Sequence, residues 1–186
     1  MNLSARARCA LMLPWMCLAT PSFAQSIPPE AERMAPRFEE DYDAKKWEEV
    51  EHQLPPPPKA ESLAEIYVSA ATEHRFFVDI DSVSLGKDGV ARYTLVVKTS
   101  GGATNVSFEG MRCETRERRP YAFGRSDGRW SKARSNAWVY IREELANRHY
   151  ATLYKEVFCP DKIIAPRLSD VHRALRHQQD GAPRRQ

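Results

Sequence analysis

Three groups of side chains have the types that chemistry requires. The first is acidic: Asp79 and Asp81 bracket Ile80, and Glu109 stands farther along the chain. Carboxylates can serve as general acid and base when two of them converge on one bond. Two residues apart on a strand, Asp79 and Asp81 would share a face beside a turn, where turn and capping duty is the simpler account. The second group is the thiols, Cys113 and Cys159. The third is cationic: Arg116, Arg118, Arg119, Arg125, Arg129, Lys132 and Arg134, with Tyr121, Phe123 and Trp130 interleaved and Glu114 and Glu117 diluting the charge. Cations alternating with aromatic rings can hold an anionic polymer by charge and stacking. The plainer reading of the same stretch is a solvated hairpin.

Little else in the chain suggests catalysis. There is no H-E-x-x-H pair, phosphate-cradling glycine loop or dinucleotide fingerprint, and the string Gly124-Arg125-Ser126-Asp127-Gly128 falls in the turn towards Trp130 rather than between a strand and a helix, as a nucleophile elbow requires. The five histidines, His52, His74, His149, His172 and His177, form no i, i+4 pair on an expected helix, so each is read as a surface residue. Accordingly the sequence assigns no catalytic residue, no cofactor and no metal site. The contact surface it nominates is Arg116, Arg118, Arg119, Tyr121, Phe123, Arg129 and Trp130.

The compartment is read from the first residues. Arg6 and Arg8 precede an apolar run from Cys9 to Thr20, and Ser22-Phe23-Ala24 fits the small-x-small pattern of a signal-peptidase site. The run is about a dozen residues long and holds Pro14, whereas a transmembrane anchor needs about 20. Cys17 follows Pro14, Trp15 and Met16, which is not a lipidation context. The expectation is a signal peptide over residues 1–24, cleavage before Gln25, and a periplasmic chain with no transmembrane anchor. Cys9 and Cys17 leave with the signal, so the mature chain keeps only Cys113 and Cys159. An even number of cysteines in an oxidising compartment predicts one disulfide, two separate buried thiols being the alternative. The loop it closes is about 47 residues, worth roughly 4 kcal/mol in the chain-entropy account.

Losing Arg6 and Arg8 brings the formal charge from +3 to +1, and a nearly neutral chain in an exported compartment argues against a nucleic-acid partner. The charges are nevertheless uneven. Glu39, Glu40, Asp41, Asp43, Glu48, Glu49 and Glu51 crowd one segment, which is read as a solvated face.

These residues must be positioned by a recognisable series of elements. Residues 25–36 have no periodicity, Phe38, Tyr42, Trp47, Val50 and Leu54 are loosely amphipathic, and Pro55 to Pro58 form a linker or a strap over the domain. Residues 25–61 are therefore read as arm, amphipathic segment and linker. Short β-type runs follow at 63–69 and 75–80, then a turn at Gly86-Lys87-Asp88-Gly89. Ala91, Tyr93, Leu95 and Val97 alternate with Arg92, Thr94, Val96 and Lys98. After Ser100-Gly101-Gly102 the run 103–114 carries Val106 and Phe108 on one parity and Met111 and Cys113 on the other. Gly110 is the candidate bulge that would bring both pairs to the core. Tyr121 and Phe123 begin another strand, and Ser126-Asp127-Gly128 turns towards Trp130. Beyond this the period becomes helical: Trp138, Ile141 and Leu145, then Leu153, Tyr154 and Val157, then a final helix over 166–177. The result is one α+β domain over residues 62–178, an antiparallel β-sheet meander packed by C-terminal helices with one disulfide, and a disordered tail at 179–186.

Several of these segments resemble a known family, the uncharacterised envelope proteins related to cryptic neisserial protein one. The resemblance covers roughly residues 47–176. It rests on Trp47 upstream of Leu54-Pro55-Pro56, Phe77-Val78-Asp79 before Ser82-Val83, Asp88-Gly89-Val90-Ala91-Arg92-Tyr93-Thr94-Leu95-Val96, and Asn105-Val106-Ser107-Phe108-Glu109-Gly110-Met111-Arg112-Cys113. It implies a periplasmic protein of Gram-negative bacteria and no particular reaction. A more distant likeness of pattern is to surface-adhesin protein E-like domains. The leading expectation is thus a non-enzymatic envelope protein that binds an envelope protein or anionic envelope polymer through a strand edge or the hairpin at 116–134. The alternative is a hydrolase or transferase acting on an envelope polymer through Asp79, Asp81 and Glu109.

Overall fold

A computed structural model describes residues 47–181. The expected signal segment, its cleavage site, the arm, Phe38, Tyr42, the acidic residues before position 47 and the last five residues lie outside the described residues.

The alternating runs form the strands expected of them. Strand β1 is Leu63–Ile66, β2 Arg75–Leu85, β3 Val90–Lys98, β4 Thr104–Arg112, β5 Glu117–Gly124 and β6 Trp130–Lys132. They pair antiparallel in chain order, which is the meander. Gly89, at φ 75°, occupies the left-handed conformation that the β2–β3 turn needs and that a side chain would disfavour.

Period-two alternation gives the sheet two differently covered faces. On one, Ala64, Ile66, Phe76, Val78, Ala91, Tyr93, Leu95 and Met111 join the main core. This face is covered by two helical segments. Helix α1, Arg148–Thr152, continues through a wide turn, Leu153–Phe158, and helix α2, Leu168–Gly181, packs on β1 and β2. The wide turn closes with Cys159 N–H donating to the Tyr154 carbonyl at 2.9 Å, and Pro160, which has no N–H to continue a helix, follows. Cys113, just past β4, is bonded to Cys159 across a Cα separation of 5.3 Å, so the disulfide ties the helical segment to the sheet. The final helix was expected to end near 177 and runs on to Gly181, into the stretch read as tail.

The other face carries Phe77, Asp79, Arg92, Thr94, Val96 and Phe108, all buried. It is crossed by residues 47–58, which form no helix or strand. Trp47 Nε1 donates to the Asp88 carbonyl at 2.8 Å, and Trp130 Nε1 donates to the Pro55 carbonyl at 2.7 Å. His52 lies on the Tyr121 ring with centroids 3.9 Å apart.

Three local expectations are corrected. Trp138, Ile141 and Leu145 do not share a helix. Val139–Tyr140 is a strand, β7, paired with Glu117 and Arg118 of β5, while Ile141 is buried and Leu145 is 76% exposed. The open edge of β5 offers backbone donors and acceptors that a helix over these residues would forgo. Gly110 is not a bulge: β4 keeps unbroken register with β3, and Val106 and Phe108 stay on the strap face while Met111 and Cys113 face the helices. The bulge lies in the partner strand, where Phe108 pairs with Ala122 but Glu109 with Pro120, leaving Tyr121 as the extra residue. Its phenol lies over Gly110, where any Cβ would overlap it. Finally, Asp79 and Asp81 do not act as a matched pair. The ladder to β3 slips between Asp79 and Ser84, leaving Asp79 buried on the strap face and Asp81 exposed. Ser82 bridges the slip, donating to the Asp79 carbonyl at 2.7 Å and accepting the Thr94 N–H at 2.8 Å.

Candidate functional site

The outer edge of β5 is shared by two short strands. β6 pairs with Ala122, Phe123 and Gly124, and β7 with Glu117 and Arg118. Between them Pro120 has no N–H to offer another strand, and residues 133–138 leave the sheet before the chain returns as β7. The Ala133 N–H closes one end on the Tyr121 carbonyl and the Ile141 N–H closes the other on the Arg116 carbonyl, each at 2.9 Å. In the space so framed, on the helix side of the sheet, lies an open cleft of about 610 Å³. Arg118, Phe123, Lys132 and Arg134 line it, with Glu109 and Tyr150 among its buried walls.

Glu109 is the unusual residue of this cleft. It is 2% exposed in the middle of β4, next to Tyr93 of β3 in the ladder. Its Oε1 accepts the Ser107 hydroxyl at 2.6 Å and the Tyr150 hydroxyl at 3.2 Å. Its Oε2 is buried without a hydrogen bond and stands 3.9 Å from Arg118 Nη1. Burial pushes the Glu109 pKa up, against the opposing pull of Ser107, Arg118 and Tyr150. The same burial raises Tyr150 and Tyr93, so both stay phenols, and among the described residues the Tyr93 hydroxyl has no hydrogen-bond partner. Arg118 stacks on Tyr150, its Cζ 4.0 Å from the ring centroid. Lys132 and Arg134 are exposed, and among the described residues neither has a carboxylate partner. The cleft therefore sets Arg118 and Arg134 over one buried carboxyl that burial shifts towards its neutral form, while Lys132, opposite Ala122 in the ladder, shares the strap face with Trp130. Next to it His149, expected at the surface, is 7% exposed and stacked on Phe76 with centroids 4.4 Å apart. Burial, then the charge of Arg118, lower its pKa to about 4.

The strap face is electrostatically self-contained. Glu49 accepts from Arg119 Nη1 and from the Tyr121 hydroxyl at 2.5 Å each, and stands 3.5 Å from Arg92. Arg92 also pairs with Asp88 at 2.6 Å, both side chains almost wholly buried. Burial alone would raise the Asp88 pKa, but the bonds from Arg92 and from the Val50 and Val90 N–H groups hold it below its ordinary value. Trp47 lies beneath Arg112, whose Cζ is 4.0 Å from its ring.

The seven residues nominated as one contact surface are thus divided. Arg118 and Phe123 line the cleft. Arg116 pairs with Glu143 and sits between the rings of Tyr140 and Tyr154. Arg119, Tyr121 and Trp130 face the strap, engaged by Glu49 and Pro55. Arg129 is exposed at the β5–β6 turn, paired with Asp127. Sequence reasoning passed over Tyr150, Ser107 and Tyr93 as partners of Glu109, and Glu49 as the anchor of the strap. The last was read as part of a solvated acidic run. The one available signal was an acid at Glu109 flanked by Phe108, Gly110 and Met111, which marks either a functional group or a buried polar network.

A sheet covered by helices on one side and by its own upstream segment on the other, with a cationic cleft at its split edge, defines a small disulfide-tied α+β domain. The profile of the CNP1-like family matches residues 42–176, and the chain belongs to that family. No curated protein and no solved structure gives a significant match. Among the described residues no helix is long and apolar enough to cross a membrane.

Proposed function

We propose that this is an exported envelope protein that binds an anionic partner, an envelope polymer or protein, in the cleft beside β5, and that it works by binding rather than by catalysis. The observation that carries the reading is the meeting of Arg118 and Arg134 at one cleft, in which Arg134 has no carboxylate partner among the described residues. Cations left unpaired around a concave surface attract and orient an anion, whereas the paired cations of the strap face have their charge already met. The carboxylate alternative finds less support. Asp79 lies on the strap face and Glu109 on the helix face of the same sheet, so the two cannot flank one bond. Export is supported by Arg6, Arg8, the apolar run and the small residues before Gln25.

The test is retention of the mature protein on phosphocellulose in a salt gradient. The variant Arg134→Ala should elute at lower salt than the wild type, and Arg129→Ala, outside the cleft, should not. Equal elution of Arg134→Ala and the wild type refutes the cleft as the anion site. N-terminal sequencing of cell-derived protein should begin at Gln25, and a chain retaining Met1 refutes export.

A further inference from the structure

From Glu49 onwards the strap turns every third side chain to the sheet. Glu49, His52, Pro55 and Pro58 are half-buried, whereas Val50, Glu51, Gln53, Leu54, Pro56 and Pro57 are exposed. Three residues per turn is the repeat of polyproline II, the extended left-handed helix that consecutive prolines favour and that makes no hydrogen bonds of its own. Its backbone groups are free to be read from outside, and here the body reads them. The Val50 N–H donates to Asp88 Oδ2 at 2.8 Å, the Val50 carbonyl accepts from Arg92 Nη2 at 3.0 Å, and the Pro55 carbonyl accepts from Trp130 Nε1 at 2.7 Å. Among the inward side chains, Glu49 meets Arg119 and the Tyr121 hydroxyl, and His52 lies on the Tyr121 ring. Phe108 completes the aromatic floor, its centroid 5.6 Å from that of Tyr121 and 6.3 Å from that of Trp130. Aromatic-lined grooves are the surfaces on which proline-rich segments in this conformation dock.

The fit of the strap to this groove is incomplete. On the same face Asp79 Oδ1, Arg92 Nε and Thr94 Oγ1 are buried and, among the described residues, have no hydrogen-bond partner. Covering such atoms without bonding them is unfavourable, and lifting the strap returns them to solvent, so the strap is displaced at less cost than its contacts suggest.

We propose that this face is a docking groove for an acidic, proline-rich segment of another protein, and that the strap is its resident ligand, closing the groove until such a segment displaces it. The segment that fits is extended and follows the spacing of Glu49, His52, Pro55 and Pro58. It carries a carboxylate for Arg92 and Arg119, then a flat ring for Tyr121, then a proline whose carbonyl meets Trp130. Charge complementarity selects it, because the groove offers two guanidinium groups where the carboxylate must lie. The cleft beside β5 opens on the opposite face, so the two sites are independent.

The experiment follows a fluorescein-labelled peptide of residues 47–58 by anisotropy as the full mature chain, wild type or Val50→Pro, is added. Proline at this exposed position removes the N–H that bonds Asp88 and keeps the chain extended, so it loosens the tethered strap and leaves the groove intact. The peptide retains that N–H and should bind Val50→Pro about tenfold or more tighter than it binds the wild type, the increment of one hydrogen bond to a charged group. Equal affinity for the two chains overturns the strap as competitor, and binding to neither overturns the groove. Altered peptides read the recognition rule without any risk to folding, and they serve on the wild type at higher concentration if the variant is unstable. A peptide that keeps Trp47, Glu49, His52, Pro55 and Pro58 and has glutamine at every other position should bind as the parent does. The same peptide with one more glutamine after His52 carries its prolines out of step and should bind about tenfold weaker or worse, as should the parent peptide with Glu49→Lys, which sets a cation against Arg92 and Arg119. Failure of the glutamine peptide to bind means that the groove accepts only this chain's own strap, in place or from a second copy, and overturns the proposal. Indifference to the inserted residue overturns it as well.

Discussion

Acidification should unfold this protein through His149. The imidazole lies between Phe76 and Tyr150, 7% exposed, with Arg118 as the nearby positive charge. Its pKa is about 4 in the folded protein, against 6.5 for an exposed histidine. The folded chain therefore keeps the ring neutral while the unfolded chain takes up a proton from pH 6.5 downwards. Stability contributed by the neutral ring is fully present above pH 6.5 and is lost as the pH falls towards 4. The distance from 6.5 to about 4, at about 1.4 kcal/mol per pH unit, comes to about 3 kcal/mol. Glu109 works in the opposite sense. Its raised pKa means that stability is lost as pH rises through its folded value, so acidification relieves that cost. Comparison with His149→Phe isolates the histidine, because a phenyl ring can stack on Phe76 and does not titrate, while Glu109 is present in both proteins. Urea unfolding of the oxidised protein between pH 7.5 and 4, midpoints followed by tryptophan fluorescence, should show the wild type losing about 3 kcal/mol more than the variant, nearly all of it below about pH 6.5. Parallel pH curves for the two proteins would show that His149 is not held neutral by burial and would refute the reasoning.

Two further outcomes follow from the packing. Cys159→Ser opens a loop with a sequence separation of 46 and should cost about 2–4 kcal/mol, read as a lower urea midpoint without reductant; an unchanged midpoint would mean that the bridge adds nothing to stability. Asp88→Asn leaves the buried Arg92 guanidinium short of its nearest counter-charge and weakens the Val50 contact, so it should cost about 3–5 kcal/mol and speed proteolysis within residues 47–58; unchanged proteolysis there would mean that Asp88 does not hold the strap.

The strands, their order, the turns, the final helix and the pairing of Cys113 with Cys159 were legible in the chain because each is written in short-range terms. Alternation over β3 needs only period two, Gly89 needs only a left-handed turn, and two mature cysteines leave one pairing. What the tertiary structure alone decided is which face each side chain took and what met it there. One extra residue in β5, Tyr121, changes the parity of the strand, so Arg118 and Phe123 open onto the cleft while Arg119 turns to the strap. Nothing within the strand announces that bulge, because its partner is the bare backbone of Gly110 on β4. Residues 138–145 carry a helical period, yet the unpaired edge of β5 claims Val139 and Tyr140, a non-local backbone demand that outweighs local propensity. His149 and Glu109 are polar residues whose burial follows from the contact between α1 and β4, far apart in the chain. The candidate site, made of an acid on one strand, a guanidinium on the next, a phenol on a helix and a second guanidinium beyond a turn, exists only once the sheet has folded and the helices have closed over it.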